Sequence, residues 1–502
     1  MGAFLLLCLC WIFTNPGGAA PDEPDHLVKA IGNATGQLGH RGAELGPDAS
    51  WLEERNESTT RVYDIPVRLA PAGMTCFAFA SKTTAACQPD QPPGGEGDIE
   101  FSSALGDYPP FLYVPIGAAA LLADTPYQAF VAGRLVVALL SLGLVWLGAA
   151  QLMRWLGRRA VLAYAVLMTP VGVFLASSVS TSGIELTASA CVAAVVATCA
   201  LRPEAVQARS THWTFLVGGT ALALSRQFGV LELAVLGAAF LFMVGGRRTW
   251  QLLRRRQRSL IAALTVVGVA TVAALWWERT YDRPAHVVSP LEGDAVRAFL
   301  AKGLTTITSG FGTFGWLDTS LPSLATGAWI AMWVIVLGMA CLIGPTRVAA
   351  VILALVAATV GLAFVVYASA FFPIGADIQG RHFLALFAPA VVLAVVVVAE
   401  RRDLGPRFHP RLYVAVALVV GVVQFVAIYT NARRYAVGTK GPWWWIGDAE
   451  WAPSGGWVLW MTAAALAAAW LGVEVVRLRP RRAEADDLAR ADTTKATSPV
   501  LD

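Results

Sequence analysis

Apolar stretches recur along this chain, and short polar links separate them. Each stretch is close to the roughly 20 residues that an α-helix needs to cross the hydrocarbon core of a bilayer. The pattern predicts an all-α integral membrane protein with about twelve transmembrane helices and with juxtamembrane helices in its external loops. The predicted helices cover residues 3–19, 127–152, 159–178, 183–201, 212–226, 228–245, 259–277, 326–343, 347–371, 381–399, 411–430 and 456–476.

The first apolar stretch has two interpretations. Its apolar core is short and the pair Ala19-Ala20 resembles a cleavage site, as in a secretory signal peptide. The basic region that opens such a peptide is missing, however. We therefore favour a retained helix, and the signal peptide stays the alternative.

The composition also indicates a membrane protein. Of the 502 residues, 56% are hydrophobic and 14% are charged, and the mean hydropathy is +0.58. One soluble core with an ordinary polar surface cannot be built from that mixture. The net charge of +4 comes from arginine-rich links. It therefore reflects membrane topology, and no nucleic-acid partner is expected.

The arginine-rich links set the predicted orientation, because short basic loops stay in the cytoplasm. The links agree with one another if the apolar run 111–123 lies on the outer face instead of crossing the bilayer. Both ends of the membrane domain, residues 1–478, are then cytoplasmic, and the tail 479–502 is predicted to be disordered there. The segments predicted on the far side are 20–126, 278–325 and 431–455.

Several features of these external segments predict local structure. Cys76 and Cys87 are close in sequence and lie in an oxidising compartment, so we expect a disulfide. The tryptophan run 443–445 suits an aromatic belt at the membrane surface, and stacking against a sugar ring is the alternative. Asp318 has no motif around it and is expected to be solvated.

Charged residues inside or beside the predicted helices gather on the external side. A charge within the hydrocarbon costs several kcal/mol unless it is paired or faces water, so such residues are candidates for a functional site. Salt bridges that hold the bundle together are the alternative for any one of them, but this role does not explain why they share one side. The residues are Arg134, Glu185, Arg226, Glu232, Asp377 and Arg381.

The hexapeptide Pro21–His26 places three carboxylates and an imidazole directly after the first apolar stretch. Asp22 could serve only as the N-cap of a helix, with Glu23 and Asp25 near its positive end. His26, one turn further on, could orient a carboxylate, bind a metal or lie on the surface. The sharper hypothesis is a reaction site.

Carboxylates beside guanidinium groups at a lipid–water boundary suit group transfer from a membrane-embedded carrier to an external acceptor. A carboxylate can take the proton of an acceptor hydroxyl, and arginine can bind a leaving phosphate with two hydrogen bonds. The sequence has no Walker motif, no strand-linked Gly-x-Gly-x-x-Gly and no His-Glu-x-x-His. This argues against an ATP-driven pump or a nucleotide-sugar enzyme.

Three motifs occur in order: Pro21–His26, Asp107-Tyr108-Pro109-Pro110 and Gln379–Phe383. Together with the Cys76 and Cys87 pair, they resemble a bacterial domain-of-unknown-function family of polytopic membrane proteins, family 2142. That family in turn resembles the GT-C glycosyltransferases, which use sugars linked to polyprenyl phosphate.

The resemblance implies roles for individual residues. Asp22 and Glu23 match the acidic pair that supplies the catalytic base, and Arg381 matches an element that contacts donor phosphate. Where related enzymes often carry Pro-Asp in the second external loop, this chain has Ser180–Glu185. The carboxylate of Glu185 could substitute there.

The function expected from the sequence is a GT-C type glycosyltransferase of the bacterial plasma membrane, with an extracytoplasmic site. It would move a sugar from a polyprenyl-phosphate donor to an envelope glycan or glycolipid, with inversion. A transporter or flippase of a lipid-linked saccharide is the alternative, and an envelope scaffold is a third class. A divalent cation is left open. The donor-binding candidates are Arg381, Arg226, Arg134, Tyr108 and His382, and the supporting candidates are Asp25, His26, Asp107, Glu185 and Asp377.

Overall fold

The structure is a computed structural model that describes residues 1–42, 51–89, 94–254, 257–280, 293–372, 378–400 and 408–479. Its described residues are mostly helical. The α-helices are α1 (Gly2–Thr14), α2 (Glu23–Ala34), α3 (Trp51–Thr59), α4 (Tyr113–Ala120), α5 (Pro126–Leu156), α6 (Leu162–Leu167), α7 (Pro170–Leu175), α8 (Ser182–Leu201), α9 (Arg209–Ser225), α10 (Gly229–Val244), α11 (Gly246–Leu253), α12 (Arg258–Thr280), α13 (Gly293–Gly312), α14 (Ser323–Ile343), α15 (Thr346–Val366), α16 (Leu384–Glu400), α17 (Phe408–Val437) and α18 (Gly456–Arg477).

In the described part of the chain, eight helices are long and apolar enough to cross a bilayer. They are α5, α8, α12, α14, α15, α16, α17 and α18. The helices α1 and α10 are apolar but shorter, with 13 and 16 residues. The predicted all-α, multi-pass membrane architecture is therefore confirmed, whereas the predicted count of about twelve spans is not.

The prediction of one continuous helix over 159–178 was wrong, because the helix is interrupted between α6 and α7. Pro170 has no N–H and so cannot continue the helix to the carbonyl of Val166. The indole N–H groups of Trp329 and Trp333 donate to that carbonyl instead, at 3.2 and 2.8 Å. Thr169 restarts the helix, since its Oγ1 accepts a bond of 2.9 Å from the N–H of Gly172.

The first predicted helix, 3–19, also ends early. The helix α1 stops at Thr14, and Asn15 is extended. A residue before proline is disfavoured in the helical region, and Pro16 follows Asn15. The chain then runs through a buried segment, residues 15–21, which delivers Asp22 to the start of α2.

The helices α8 and α16 form the centre of the bundle. In each of them, 89% of the most apolar 18-residue stretch is buried, against 22–50% of the corresponding stretch in the other six spanning helices. Both are rich in alanine and valine, so they can approach closely, and Ser189 on α8 donates to the carbonyl of Ala385 on α16 at 2.9 Å. This buried centre carries Glu185 at one end of α8 and Arg381 just before α16.

A small layer of sheet and helix covers the end of the bundle that carries these charges, which we call the site end. Strands β1 (Arg61–Pro66) and β2 (Asp98–Ser103) pair antiparallel and pack on α2. A second antiparallel pair joins β3 (Thr313–Phe314) to β4 (Thr319–Ser320). The helix α4 fits tightly on α2, because a Cβ atom at Gly117 would lie 1.8 Å from the carbonyl oxygen of Ala30.

Three local predictions for the segments that were expected to be external have different outcomes. Cys76 and Cys87 form a disulfide, with Cα atoms 6.0 Å apart. Asp318 was wrongly expected to be solvated, because it forms an ion pair of 2.7 Å with the buried Arg434. The tryptophan run divides, since Trp445 is fully buried while Trp444 is 90% exposed. The predicted tail lies, apart from Arg479, outside the described residues.

Candidate functional site

The acidic pair at the start of α2 divides into two different environments. Glu23 is fully buried, and its carboxylate receives two bonds from Arg134, Nε to Oε1 at 2.8 Å and Nη2 to Oε2 at 2.7 Å. The backbone N–H groups of Val179 and Ala20 donate to the same carboxylate, at 2.9 and 3.2 Å. Each carboxylate oxygen therefore accepts two hydrogen bonds.

The guanidinium of Arg134 is also fully hydrogen-bonded. Its remaining N–H groups donate to the carbonyl oxygens of Ile12, Asn15 and Pro16, at 2.7–3.1 Å. The expectation that Arg134 binds the donor and that Glu23 acts as a second base disagrees with this geometry, because neither group has a free, accessible donor or acceptor. Their contacts instead fix residues 12–23 onto α5.

Asp22 differs from its neighbour because its side chain is 53% exposed. It occupies the N-cap position of α2, but its side chain makes no cap hydrogen bond. Its backbone is left-handed, with φ of 62°, a conformation that Asp and Asn tolerate better than most residues. The Asp22 carboxylate therefore points away from the helix N–H groups, and a terminal capping role does not account for it.

Arg381 meets Asp22 from a distant part of the chain. Its Nη2 lies 3.5 Å from Asp22 Oδ2, and its side chain is 13% exposed. Arg381 sits in a 3-10 turn, Gly380–Phe383, just before α16. Gly380 allows this turn to touch α13, since a Cβ there would lie 2.2 Å from the carbonyl oxygen of Thr306.

Arg381 also has one N–H group that makes no hydrogen bond to the described residues. Within the described residues, its buried Nε–H has no partner, and the buried Oε1 of Gln379 has none either. Leaving a buried polar group unsatisfied is unfavourable, so such groups call for an explanation such as a ligand. A guanidinium with an open N–H beside an exposed carboxylate can receive an anion.

A second guanidinium, Arg226, lies between α9 and α10. Its Nη2 donates to Tyr108 Oη at 2.6 Å and its Nη1 to Ser182 Oγ at 3.0 Å. Glu185 lies 3.6 Å from the same group. The guanidinium also faces the Tyr108 ring, 4.9 Å from its centroid. The structure thus places Arg226, Tyr108 and Glu185 in one cluster.

The Tyr108 segment is fixed to its surroundings through its backbone. Lys29 Nζ donates to the carbonyl of Gly106 at 3.1 Å, and Trp277 Nε1 donates to the carbonyl of Asp107 at 3.0 Å. The Asp107 carboxylate accepts a bond of 2.7 Å from Gln227, the residue after Arg226. Asp107 therefore supports the segment.

His26 and Asp25 also have structural contacts. His26 Nδ1 lies 2.6 Å from Tyr113 Oη. Burial, followed by the charges of Arg226 and Arg381, holds the pKa of His26 well below its usual range, so the ring is neutral near pH 7. The Asp25 carboxylate accepts from the N–H of Ala104 at 2.8 Å, and burial is the main cause that raises its pKa.

The remaining candidates are placed as follows. His382 follows Arg381 in the same turn, with its ring 6.3 Å from that of Phe371. Asp377 lies outside the described residues. Among the described residues, no group of three or more His, Cys, Asp or Glu side chains is placed to hold a metal ion. We derive no step through a divalent cation.

Sequence reasoning missed Lys29, whose side chain is completely buried. Its Nζ lies 5.5 Å from the ring centroid of Tyr113 and 5.7 Å from that of Trp277. Burial lowers the pKa of Lys29 to about 7, although the nearby Asp107 opposes the shift. The lysine lies next to apolar residues of α2, but nothing in a single sequence marks it as buried.

Lys29→Met is expected to change how stability depends on pH. The pKa of Lys29 is about 7 in the folded protein, against 10.5 for an ordinary lysine. The unfolded chain therefore binds more protons between these values, and wild-type stability rises with pH by roughly 1.4 kcal/mol per unit from this group. Thermal unfolding between pH 7.5 and 9 should show a steeper rise for wild type than for Lys29→Met. If the unfolding midpoints of wild type and Lys29→Met changed with pH in parallel, the lowered pKa of Lys29 would be contradicted.

The sequence of the chain matches one protein family over residues 5–391, and that family is described as "Predicted membrane protein (DUF2142)". The chain belongs to this family. The match to DUF2142 includes both halves of the site, from Asp22 to His382, and ends within α16. It confirms the family resemblance that the three motifs indicated.

Comparisons with other proteins show more distant likenesses of this DUF2142 chain. Two solved structures of ArnT from Cupriavidus metallidurans, one bound to undecaprenyl phosphate and one in the apo state, each align with a TM-score of 0.43. Their sequence identities are 17% and 15%, and each alignment covers 95% of this chain and 76% of the ArnT chain. No curated protein matches the sequence significantly.

Proposed function

We propose that this DUF2142 protein is a GT-C type membrane glycosyltransferase. It moves a sugar from a polyprenyl-phosphate donor to an envelope glycan or glycolipid on the extracytoplasmic side of a bacterial plasma membrane. The observation that carries this proposal is the pairing of exposed Asp22 with Arg381, 3.5 Å apart, at the end of a membrane bundle.

In the proposed reaction, Asp22 takes the proton from an acceptor hydroxyl. The oxygen attacks the anomeric carbon of the donor sugar, and the bond between that carbon and the phosphate oxygen breaks. The polyprenyl phosphate leaves with the bonding electrons, and the proton passes from Asp22 to solvent. A single displacement inverts the configuration at the anomeric carbon.

Arg381 stabilises the leaving phosphate in this scheme. Its Nε–H has no partner among the residues that the structure describes, so it can bind an oxyanion without first breaking all its protein contacts. Arg226 adds a second positive charge near Arg381. Both guanidinium groups lie close enough to His26 for their charges to lower its pKa. Its own N–H groups already bind Tyr108 and Ser182, so Arg226 contributes charge more than direct contact.

Arg381→Gln is expected to reduce sugar transfer roughly 100-fold or more, because removal of one stabilising donor from an oxyanion site has effects of that size. Purified protein in liposomes would be given a panel of radiolabelled polyprenyl-phosphate sugars together with an envelope extract. Release of polyprenyl phosphate with the sugar on an acceptor is the expected wild-type result.

The same assay separates the alternatives. A transporter or flippase would move the labelled lipid across the bilayer without releasing polyprenyl phosphate, and a scaffold would do neither. Arg477→Gln provides a matched control, because Arg477 is 64% exposed and pairs with Glu474 at the far end of α18. Transfer reduced equally by both substitutions would remove the specific role of Arg381.

A further inference from the structure

Two bulky residues at the site end have an unusual backbone conformation. Of the non-glycine residues that the structure describes, Asp22, Phe79 and Leu317 have positive φ, at 62°, 58° and 64°. For large side chains this conformation is strained and persists only where the surroundings enforce it. Asp22 is the proposed base, and Phe79 and Leu317 are the two large side chains of this set.

Phe79 and Leu317 lie on two loops that meet. Phe79 is in the turn closed by the N–H of Ala80 and the carbonyl of Phe77, at 3.1 Å. Leu317 is in the loop between β3 and β4, next to Trp316. The rings of Phe79 and Trp316 are 5.2 Å apart at 66°, an edge-to-face contact. We call these two rings the aromatic pair.

A buried guanidinium holds both loops in place. Arg434 Nη2 donates to the carbonyls of Phe77 and Ala80, on either side of Phe79, at 3.0 and 3.3 Å. The same nitrogen lies 2.7 Å from Asp318 Oδ2, directly after Leu317. Because Arg434 is only 1% exposed, these bonds are shielded from water and can enforce the strained turns.

The result of this enforcement is an exposed apolar surface. The side chain of Phe79 is 79% exposed, and that of Leu317 is 38% exposed. Exposed residues close to each of them in the sequence, Lys82 and Ser320, are polar. Most of the Phe79 ring stays uncovered although its turn is strained, so burial does not account for its placement, which points to binding.

The aromatic pair is joined to the proposed catalytic residues. Trp316 Nε1 donates to the carbonyl of Gly18 at 3.0 Å, and Gly18 is four residues before Asp22. Four residues span at most about 15 Å. Gly18 is also packed against α2, since a Cβ there would lie 3.2 Å from Pro24 Cγ. A sugar residue or two would bridge this distance.

We propose that the aromatic pair stacks against a sugar ring of the acceptor and so positions its hydroxyl toward Asp22. The C–H face of a sugar is apolar and packs on an aromatic ring, while its hydroxyl groups stay in water or bind the polar rim. This inference rests on the proposed function and names its acceptor as a saccharide chain.

A printed array of mono- and oligosaccharides, which also carries phospholipid spots, tests the proposal. The array would be probed with fluorescent nanodiscs that hold wild-type protein, Phe79→Ala, Phe79→Trp or the control Leu122→Ala, with empty nanodiscs as background. Leu122 is 87% exposed and lies outside the aromatic pair. Wild type and the control should bind a subset of glycans, and Phe79→Ala should bind them roughly tenfold more weakly. Phe79→Trp keeps a ring and should restore binding.

A further variant separates strain from binding. Phe79→Gly removes the ring and suits a positive φ, so it should raise the midpoint of thermal unfolding while glycan binding is lost. Failure of wild type to bind any glycan would overturn the proposal. So would equal glycan binding by Phe79→Ala, or phospholipid binding alone that Phe79→Ala abolishes. The catalytic proposal is tested separately, by sugar transfer of Asp22→Asn in the liposome assay, whereas the array measures glycan binding alone.

Discussion

Arg134→Met is expected to destabilise the protein by about 3–5 kcal/mol, because it leaves the carboxylate of Glu23 buried without its charge partner. Arg134 and Glu23 are 1% and 0% exposed. The substitution also frees three carbonyl oxygens of residues 12–16 from their donor. Thermal unfolding in detergent and the folded fraction in gel filtration would measure the effect.

The exposed ion pair between Arg477 and Glu474 provides the matched control. These residues are 64% and 44% exposed, so Arg477→Met should change stability by less than about 1 kcal/mol. The double substitution Glu23→Gln with Arg134→Gln should recover part of the loss, because no buried charge is left unpaired. Equal unfolding midpoints for Arg134→Met and Arg477→Met would show that the buried pair does not hold the segment.

The sequence predicted most of the helices because a run of about 20 apolar residues has few stable alternatives in a membrane. The two errors in α1 and at 159–178 have the same cause. Pro16 and Pro170 each interrupt an apolar run. A hydrophobicity pattern does not show that proline lacks the N–H needed for a helical hydrogen bond. Proline positions alone do not decide where a helix ends, however, because Pro389 lies inside the continuous helix α16.

The site was predicted in part. Motifs at Pro21–His26 and Gln379–Phe383 indicated residues that share one side of the membrane, and the structure places Asp22 beside Arg381. Exact pairing was not predictable, because Glu23 and Arg134 are 111 positions apart and their charges fit several partners. The pairs made by Lys29 and Arg434 were missed for the same reason.

The two acidic neighbours therefore have separate tasks. Glu23 ties the start of α2 to α5 through Arg134, and this anchoring determines where the backbone of Asp22 lies. Asp22 itself has a side chain that is free of cap contacts and accessible. Substitution of Arg134 should therefore act on stability, and substitution of Asp22 on chemistry.

Asp22→Asn is expected to lower sugar transfer by roughly 10²–10⁴-fold, the usual contribution of a general base. Asparagine has nearly the same shape and also tolerates a positive φ, so the backbone at 62° can be kept. The side chain is 53% exposed, and its carboxylate makes no cap hydrogen bond. The unfolding midpoint should therefore stay within about 2 °C of wild type, in contrast to Arg134→Met.

The measurement is release of polyprenyl phosphate from the best donor of the liposome panel, at several acceptor concentrations. A lost base lowers the maximal rate, whereas a lost acceptor contact mainly raises the apparent KM. Asp64→Asn provides the control, because Asp64 is an exposed residue of β1 and lies outside the site. Transfer at the wild-type rate by Asp22→Asn would exclude Asp22 as the base. In that case Asp22 would remain only as the partner of Arg381, and another group would have to accept the proton.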